Sequence, residues 1–269
     1  MVAVHILTLL PTCLHEKGRR VAMPIRPYEE FAPVYDQTMG ALSVRRYAKF
    51  IDRVLAELGK RPLEILDLAC GAGHLAAHLV KNGHSVTGVD HSEAMLALAR
   101  ENAPSAQFEL FDMSAPHALG RKFDVIVCLF DSINHLTELQ IVTRLFEHLR
   151  KTLVPRGMLL FDVNTEVGFA SRWRGTFVDI RDDVVIVGRP TWNESDSRGV
   201  FALTWFRKVA GAANRWTRHS TEIPEAAYSN KELAGALVQS GFSSTQVIST
   251  TQDPDLPNEE GRDFWIARL

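Results

Sequence analysis

The chain is poor in cysteine, in long apolar runs and in excess charge of either sign. Its 269 residues include three cysteines, Cys13, Cys70 and Cys128. An odd and irregularly spaced set makes no disulfide framework. Cys70 and Cys128 lie in apolar runs and read as reduced core thiols, so the expected setting is cytoplasmic. No apolar run approaches the roughly 20 residues of a membrane-spanning helix, and no membrane partner is expected. Lys and Arg number 30 against 32 Asp and Glu, a net charge of −2, and no basic stripe marks any region. Nucleic acid is therefore not an expected partner. Histidine is more plentiful, at 10, but no Cys/His cluster has a convincing ligand spacing and no metal site is expected. Val2 to Leu10 resembles the apolar part of a signal peptide, yet lacks a basic leader; Lys17, Arg19 and Arg20 follow it instead. Residues 1–22 read as a weakly ordered extension without catalytic role, with Met23 as an alternative start.

What is present is a hydrophobic fraction of 46%, enough for one sizeable core or a core with a smaller unit appended. From Leu63 the pattern alternates. Strands are predicted at Leu63–Leu68, Ser85–Val89, Gln107–Phe111, Phe123–Phe130 and Met158–Val163. Helices are predicted at Leu75–Val80, Ser92–Arg100 and Leu136–Leu153, and Pro155-Arg156-Gly157 reads as a turn. Such alternation implies parallel strands with helical crossovers, a doubly wound α/β sheet. It breaks after Asn164. Residues 168–226 carry β-rich stretches at Thr176–Ile180, Val184–Val187, Val200–Phe206 and Trp216–Ile223, an antiparallel insertion. Trp173, Trp192, Trp205 and Trp216 lie in or beside it and read as core of a small sheet rather than walls of a pocket. A helix at Asn230–Ser240, stopped by Gly241, and strands near Gln246–Ser249 and Phe264–Ala267 close the chain.

Chemistry concentrates after the first strand, at Asp67-Leu68-Ala69-Cys70-Gly71-Ala72-Gly73-His74. Glycines let the backbone turn tightly and a ligand approach it, and the following helix presents free N–H groups. No Gly-Lys-Ser/Thr follows, so this is not a phosphate loop. Read from Gly71, the glycine spacing also fits the alanine-ended dinucleotide fingerprint. Asp67 tips the balance: a carboxylate at the strand end repels a diphosphate and suits a ligand carrying an ammonium. Asp90, at the end of the second strand, can accept two ribose hydroxyl bonds. Asp112 can accept an adenine amino proton, and Met113 can pack on the ring.

At these residues the chain resembles the class I S-adenosylmethionine-dependent methyltransferases. The likeness is carried by Ile65-Leu66-Asp67-Leu68-Ala69-Cys70-Gly71-Ala72-Gly73, Gly88-Val89-Asp90-His91-Ser92 and Phe123-Asp124-Val125-Ile126-Val127-Cys128. Ala69 departs from the glycine often found there. The resemblance implies a Rossmann-like seven-stranded sheet with an antiparallel last strand. It also implies S-adenosyl-L-methionine as methyl donor, held by Asp67, Ala69, Gly71, Gly73, Asp90, His91, Met95, Asp112, Met113 and Leu129. More narrowly, the chain resembles the subgroup of sugar N,N-dimethyltransferases and small-molecule relatives. Three segments carry this likeness: Tyr28 to Asp36, Leu129 to Leu136, and Phe161 to Thr165 with the β insertion. That likeness implies an acceptor faced by Tyr28 or Tyr35 and by His135. The loop after the fourth strand lacks Asn/Asp-Pro-Pro-Tyr, the pattern of methylation on DNA bases or glutamine.

The expected organisation is a helical lid at 23–60, a donor-binding domain at 61–167 and 227–269, and the insertion at 168–226 over the acceptor site. The expected reaction is methyl transfer to a nitrogen or oxygen of a small molecule, with a homodimer as an open option. RNA or protein methylation, a non-catalytic donor-binding module and a nicotinamide-dependent oxidoreductase are the alternatives. His135 is expected to act as base or to position the acceptor, and Tyr28 or Tyr35 to close over the donor. Asp131 could pair an acceptor ammonium or bond within its own loop. His74 reads as a helix-start residue.

Overall fold

A computed structural model describes residues 27–59, 62–211 and 214–269. The extension at residues 1–22, Cys13 and residues 23–26 of the expected lid lie outside the described residues. The chain begins with helices α1 (Pro27–Tyr35) and α2 (Ala41–Ala56), joined through a π-helical turn at Asp36–Gly40. Then come β1 (Glu64–Leu68), α3 (His74–Lys81), β2 (Ser85–Asp90), α4 (Glu93–Asn102), β3 (Gln107–Leu110) and β4 (Phe123–Cys128). A 3-10 turn at Ser132–His135 precedes α5 (Leu139–Thr152), β5 (Leu153–Asn164) and α6 (Glu166–Arg172). A second sheet follows, from β6 (Phe177–Ile180), β7 (Val184–Asn193), β8 (Arg198–Lys208) and β9 (Trp216–Ala226). The chain closes with α7 (Asn230–Gln239), β10 (Ser244–Ser249) and β11 (Arg262–Arg268).

The main sheet has seven strands in the order β3-β2-β1-β4-β5-β11-β10. Strands β1 to β5 pair in parallel, and β11 runs antiparallel to both β5 and β10. This is the doubly wound, Rossmann-like sheet with an antiparallel last strand that the sequence predicts. Its central strands are buried on both faces, as their continuous apolar runs require. In β4, Val125 and Val127 pack with α2 and α3, whereas Ile126 and Cys128 pack with α5 and α7. The period of two in the strand thus divides one apolar run between two cores.

Three local features differ from the sequence reading. The α5 helix begins at Leu139 rather than Leu136, because Leu136 is extended (φ −83°, ψ 96°) and buries its side chain in the core. The turn at Pro155-Arg156-Gly157 lies inside β5, where Arg156 has φ +66° and the pairing with β4 jumps from Phe123↔Leu153 to Val125↔Met158. Helix α6 has no counterpart in the predicted elements; Thr165 caps it by accepting from Gly168 N–H.

The antiparallel sheet β6-β7-β8-β9 packs Val184, Ile186, Leu203 and Trp205 against Phe31 and Val34 of α1. Trp205 stacks on His219 and Trp192 on Phe169, while Trp173 lies against Gly199, where a Cβ would come 2.6 Å from its ring. Trp216 is 41% exposed. Among the described residues no helix is long and apolar enough to cross a membrane.

Candidate active site

The strand order reverses between β1 and β4, which is where open α/β sheets bind ligands at their carboxyl ends. A cavity of about 350 Å³ opens there. The ends of β1, β2 and β4 and the loops after them line one side. Tyr28 and Tyr35 of α1, with Ile223 and Pro224 of β9, line the other. Of the residues expected to hold the donor or face the acceptor, all but Gly73 line this cavity, and Asp131 does not line it either.

The loop after β1 holds three left-handed residues, Ala69 (φ +58°), Gly71 (+52°) and Gly73 (+76°). At Ala69 that conformation costs about 1–2 kcal/mol, which explains why glycine suits the position. Gly73 has a packing role instead: a Cβ there would lie 2.8 Å from Cα and Cβ of Ala99, so its bareness lets the start of α3 approach α4. Gly73→Ala should lower unfolding stability by about 2 kcal/mol or more, from the left-handed strain and the forced separation of the two helices. A urea midpoint equal to wild type would contradict this.

Asp67 is 2% exposed, lines the cavity, and its Oδ2 has no hydrogen-bond partner among the described residues. Burial, helped by the charge of Asp90, pushes its carboxyl up to about 8. Asp90 closes the glycine loop: its Oδ2 accepts from Gly71 N–H (2.9 Å) and its Oδ1 from Ser92 N–H (3.0 Å). His91 Nδ1 lies 3.4 Å from the same Oδ1. Ribose hydroxyls at Asp90 would therefore share oxygens that already serve the backbone. Ser92 caps α4 by accepting from Met95 N–H, and Met95 packs against Ala72 and Ala32. Farther along the wall, Asp112 Oδ1 accepts from Ser114 N–H (2.8 Å) and Oγ (2.7 Å), an Asx turn beside Met113.

The loop after β4 carries the other end of the cavity. Phe130 (φ +62°) and Asp131 (φ +56°) are both left-handed without being glycine. Asp162 of β5 holds them, its Oδ1 accepting from Phe130 N–H (2.6 Å) and its Oδ2 from Asp131 N–H (3.2 Å). Arg262 donates to Asp162 from β11. Burial pushes Asp162 up to about 6, although Arg262 pulls against that rise. Asp131 is engaged in its own surroundings, accepting from Asn164 Nδ2 (2.6 Å) with Arg262 Nη2 3.6 Å away. Next to His135, Asn134 donates to Asn164 O (2.9 Å) and Ala226 O (2.7 Å). Asp162→Ala should cost about 3 kcal/mol in urea unfolding, because two strained residues lose their acceptor and a buried guanidinium loses a partner. A change under about 1 kcal/mol would refute that role.

Tyr28 stands where these parts meet. Its ring is edge-on to His135 (6.0 Å), His91 (6.1 Å) and Tyr35 (6.2 Å). Burial, then the nearby Glu225 charge, raises the Tyr28 phenol well above its ordinary value, so it stays protonated. Burial lowers the His135 imidazole, with Asp131 pulling it up and His91 pushing it down. His74 does begin α3, but its Nε2 also meets Asp36 Oδ1 of the π turn at 2.6 Å. Gly40 makes room for that contact, since a Cβ there would lie 2.5 Å from the His74 ring. Ile223 and Pro224 were not foreseen. The period of two in their strand marks an inward face but not where along the strand a ligand would lie. Among the described residues no group of three or more His, Cys, Asp or Glu could hold a metal ion.

Known proteins similar to this chain are methyltransferases. Residues 65–157 match a family model described as a methyltransferase domain. The chain is 30% identical over 247 residues to "Putative methyltransferase YqeM" of Bacillus subtilis (strain 168), covering 90% of this chain and 96% of that one. Over 136 residues it is 30% identical to the dTDP-3-amino-3,6-dideoxy-alpha-D-glucopyranose N,N-dimethyltransferase of Streptomyces fradiae, 49% of this chain and 52% of that one. Among solved structures, an S-adenosylmethionine-dependent methyltransferase from Clostridium acetobutylicum ATCC 824 superposes with a TM-score of 0.73 at 22% identity, over 90% of this chain and 98% of that one.

Proposed function

Because the chain belongs to the S-adenosylmethionine-dependent methyltransferases, we propose that it moves a methyl group to a nitrogen or oxygen of a small molecule inside the cavity described above. Membership closes the nicotinamide alternative that the glycine spacing left open. The observation that carries the reading is the unpartnered, buried Oδ2 of Asp67 at the cavity wall beside the glycine loop. A buried carboxylate without a partner is costly. A ligand ammonium relieves that cost, whereas a diphosphate would aggravate it. The residues present thus fit a donor that bears an amino-acid ammonium and a nucleoside. Asp67 would hold the ammonium, Asp90 the ribose, and Met113 with the Asp112 turn the base.

S-adenosylmethionine, when bound, supplies a methyl carbon already activated by the positive sulfur beside it. The protein's task is then to hold an acceptor in line and dry. Tyr28 and Tyr35 cover the cavity from α1 and exclude water, and the protonated Tyr28 phenol donates a hydrogen bond. His135 is neutral near neutral pH and accepts the acceptor's proton. On this reading residues 27–59 act as the lid, and the insertion sheet shapes the acceptor end through Ile223 and Pro224. The small-molecule acceptor is supported by the modest volume of the cavity, about 350 Å³, and by the Streptomyces fradiae relative's sugar substrate. The test is calorimetric binding of S-adenosylmethionine with competition by S-adenosylhomocysteine, followed by a screen of small amines, sugars and phenols for S-adenosylhomocysteine release. A chain that binds neither compound would end the reading.

A further inference from the structure

Beside this cavity the insertion sheet carries a charged residue that the mechanism above leaves unused, close enough to Tyr28 for its charge to act on that phenol. Glu225 lies on β9 two residues beyond Ile223, hence on the same face of the strand, and Ile223 lines the cavity. The next residue, Ala226, accepts the hydrogen bond from Asn134 that ties β9 to the turn carrying His135. Glu225 is 5% exposed, and its Oε2 has no hydrogen-bond partner among the described residues. Arg262 is the nearby cation, but it is already committed to Asp162, Asp131 and Glu259. Burial and the negative charge of Asp131 raise the Glu225 carboxyl well above its ordinary range, against the pull of Arg262. Such a group is expensive to keep ionised unless a cation comes to it. Tyr28 lines the cavity edge-on to His91 and His135, and the face of a tyrosine ring also favours a cation.

Resting on the methyl-transfer reading of this cavity, we propose that Glu225 is an acceptor-binding residue and that the acceptor is an amine, met by Glu225 as its counter-charge between Tyr28 and His135. An amine arrives as an ammonium and must lose one proton before its lone pair can react. His135 takes that proton, and Glu225 stays ionised as the counter-charge. The freed lone pair forms the nitrogen–carbon bond as the carbon–sulfur bond breaks, and the sulfur keeps that electron pair. The methylated nitrogen then carries the positive charge and leaves as a cation, and His135 returns its proton to solvent. An alcohol brings no charge to offset Glu225 and Asp131.

The experiment uses the full chain with S-adenosylmethionine and two matched probe pairs, benzylamine with benzyl alcohol and glucosamine with glucose. Release of S-adenosylhomocysteine is the readout, and donor affinity is measured separately by calorimetry. The amines should be methylated in preference to the alcohols. Glu225→Gln should raise the amine KM by about tenfold or more while donor affinity stays within about twofold. Should Glu225→Gln misfold, Glu225→Asp keeps the charge and must keep the preference for amines. Alcohols accepted as well as amines, or an unchanged amine KM in Glu225→Gln, would overturn the proposal. Donor binding without turnover of either amine would overturn the amine assignment and leave methyl transfer standing. No donor binding by the wild-type chain would remove the reading beneath both.

Discussion

Asp67→Asn should weaken S-adenosylmethionine binding by about a hundredfold, the scale of losing one partner of a buried charge pair, without unfolding the protein. Asparagine has the same shape, so the cavity keeps its form. It carries no charge, so the donor ammonium meets a dipole in place of a counter-ion. In the free protein Oδ2 of Asp67, buried in a residue 2% exposed, has no hydrogen-bond partner among the described residues, so no bond made by that oxygen is lost in the change. The pH dependence follows from the raised pKa. The folded chain keeps the Asp67 proton up to about pH 8, whereas the unfolded chain releases it near 3.8. Between those values the folded state binds more protons than the unfolded state, so this group's contribution to stability falls as pH rises. A bound ammonium reverses that trend by favouring the ionised form. Donor affinity should therefore climb from pH 6 to pH 8, and the donor should raise the melting temperature more at pH 8 than at pH 6. Both slopes should vanish in Asp67→Asn. Calorimetry and thermal melts over that range are the check, and wild-type-like affinity in the variant would show that the ammonium is held elsewhere.

His135→Ala should lower kcat by about a hundredfold or more, the usual worth of a positioned general base, with donor affinity nearly unchanged. His135 lines the cavity and stands edge-on to the ring of Tyr28, 6.0 Å between centroids. Its imidazole is shifted downward by burial. Activity in the wild type should therefore hold through the ordinary histidine range near 6.5 and fall only in more acid solution, as the ring protonates. That acid limb should be missing from the residual activity of His135→Ala. A variant that loses donor affinity and turnover in equal measure would place His135 at the donor, and an unchanged acid limb would assign the limb to another group.

The main sheet was legible because its signals are local and redundant. A strand such as Phe123–Cys128 is buried at all six positions since both its faces are covered, and all of its residues but Asp124 are apolar. The glycine turn and the strand-end carboxylates Asp67 and Asp90 were legible because parallel topology brings successive strand ends to one edge. Asp112 and Met113 reach the same wall for that reason. Gly73 was read as cradle and serves instead as the contact with Ala99, since spacing alone cannot tell a glycine bared for a ligand from one bared for a neighbouring helix. Helix α6 escaped notice because seven residues are too few to show a period. The left-handed Phe130 and Asp131 were invisible too: their conformation is imposed by Asp162, 32 and 31 residues away, and not by their own side chains.

The order of apolar and polar residues along this chain determined by itself the doubly wound sheet, the edge at which ligands gather and the kind of ligand that an acidic glycine turn admits. Each of these depends on interactions within a few residues or on the repetition of one strand-turn-helix unit. The acceptor end depended on tertiary structure. The cavity there joins Tyr28 of the first helix, His135 of a central loop and Ile223 and Pro224 of a distant sheet. Which face of that sheet is turned inward, and how far along it the cavity reaches, is decided by Phe31 and Val34 packing on Trp205 and Leu203. Such contacts follow from the shape of the assembled layers, and no short stretch of sequence encodes them.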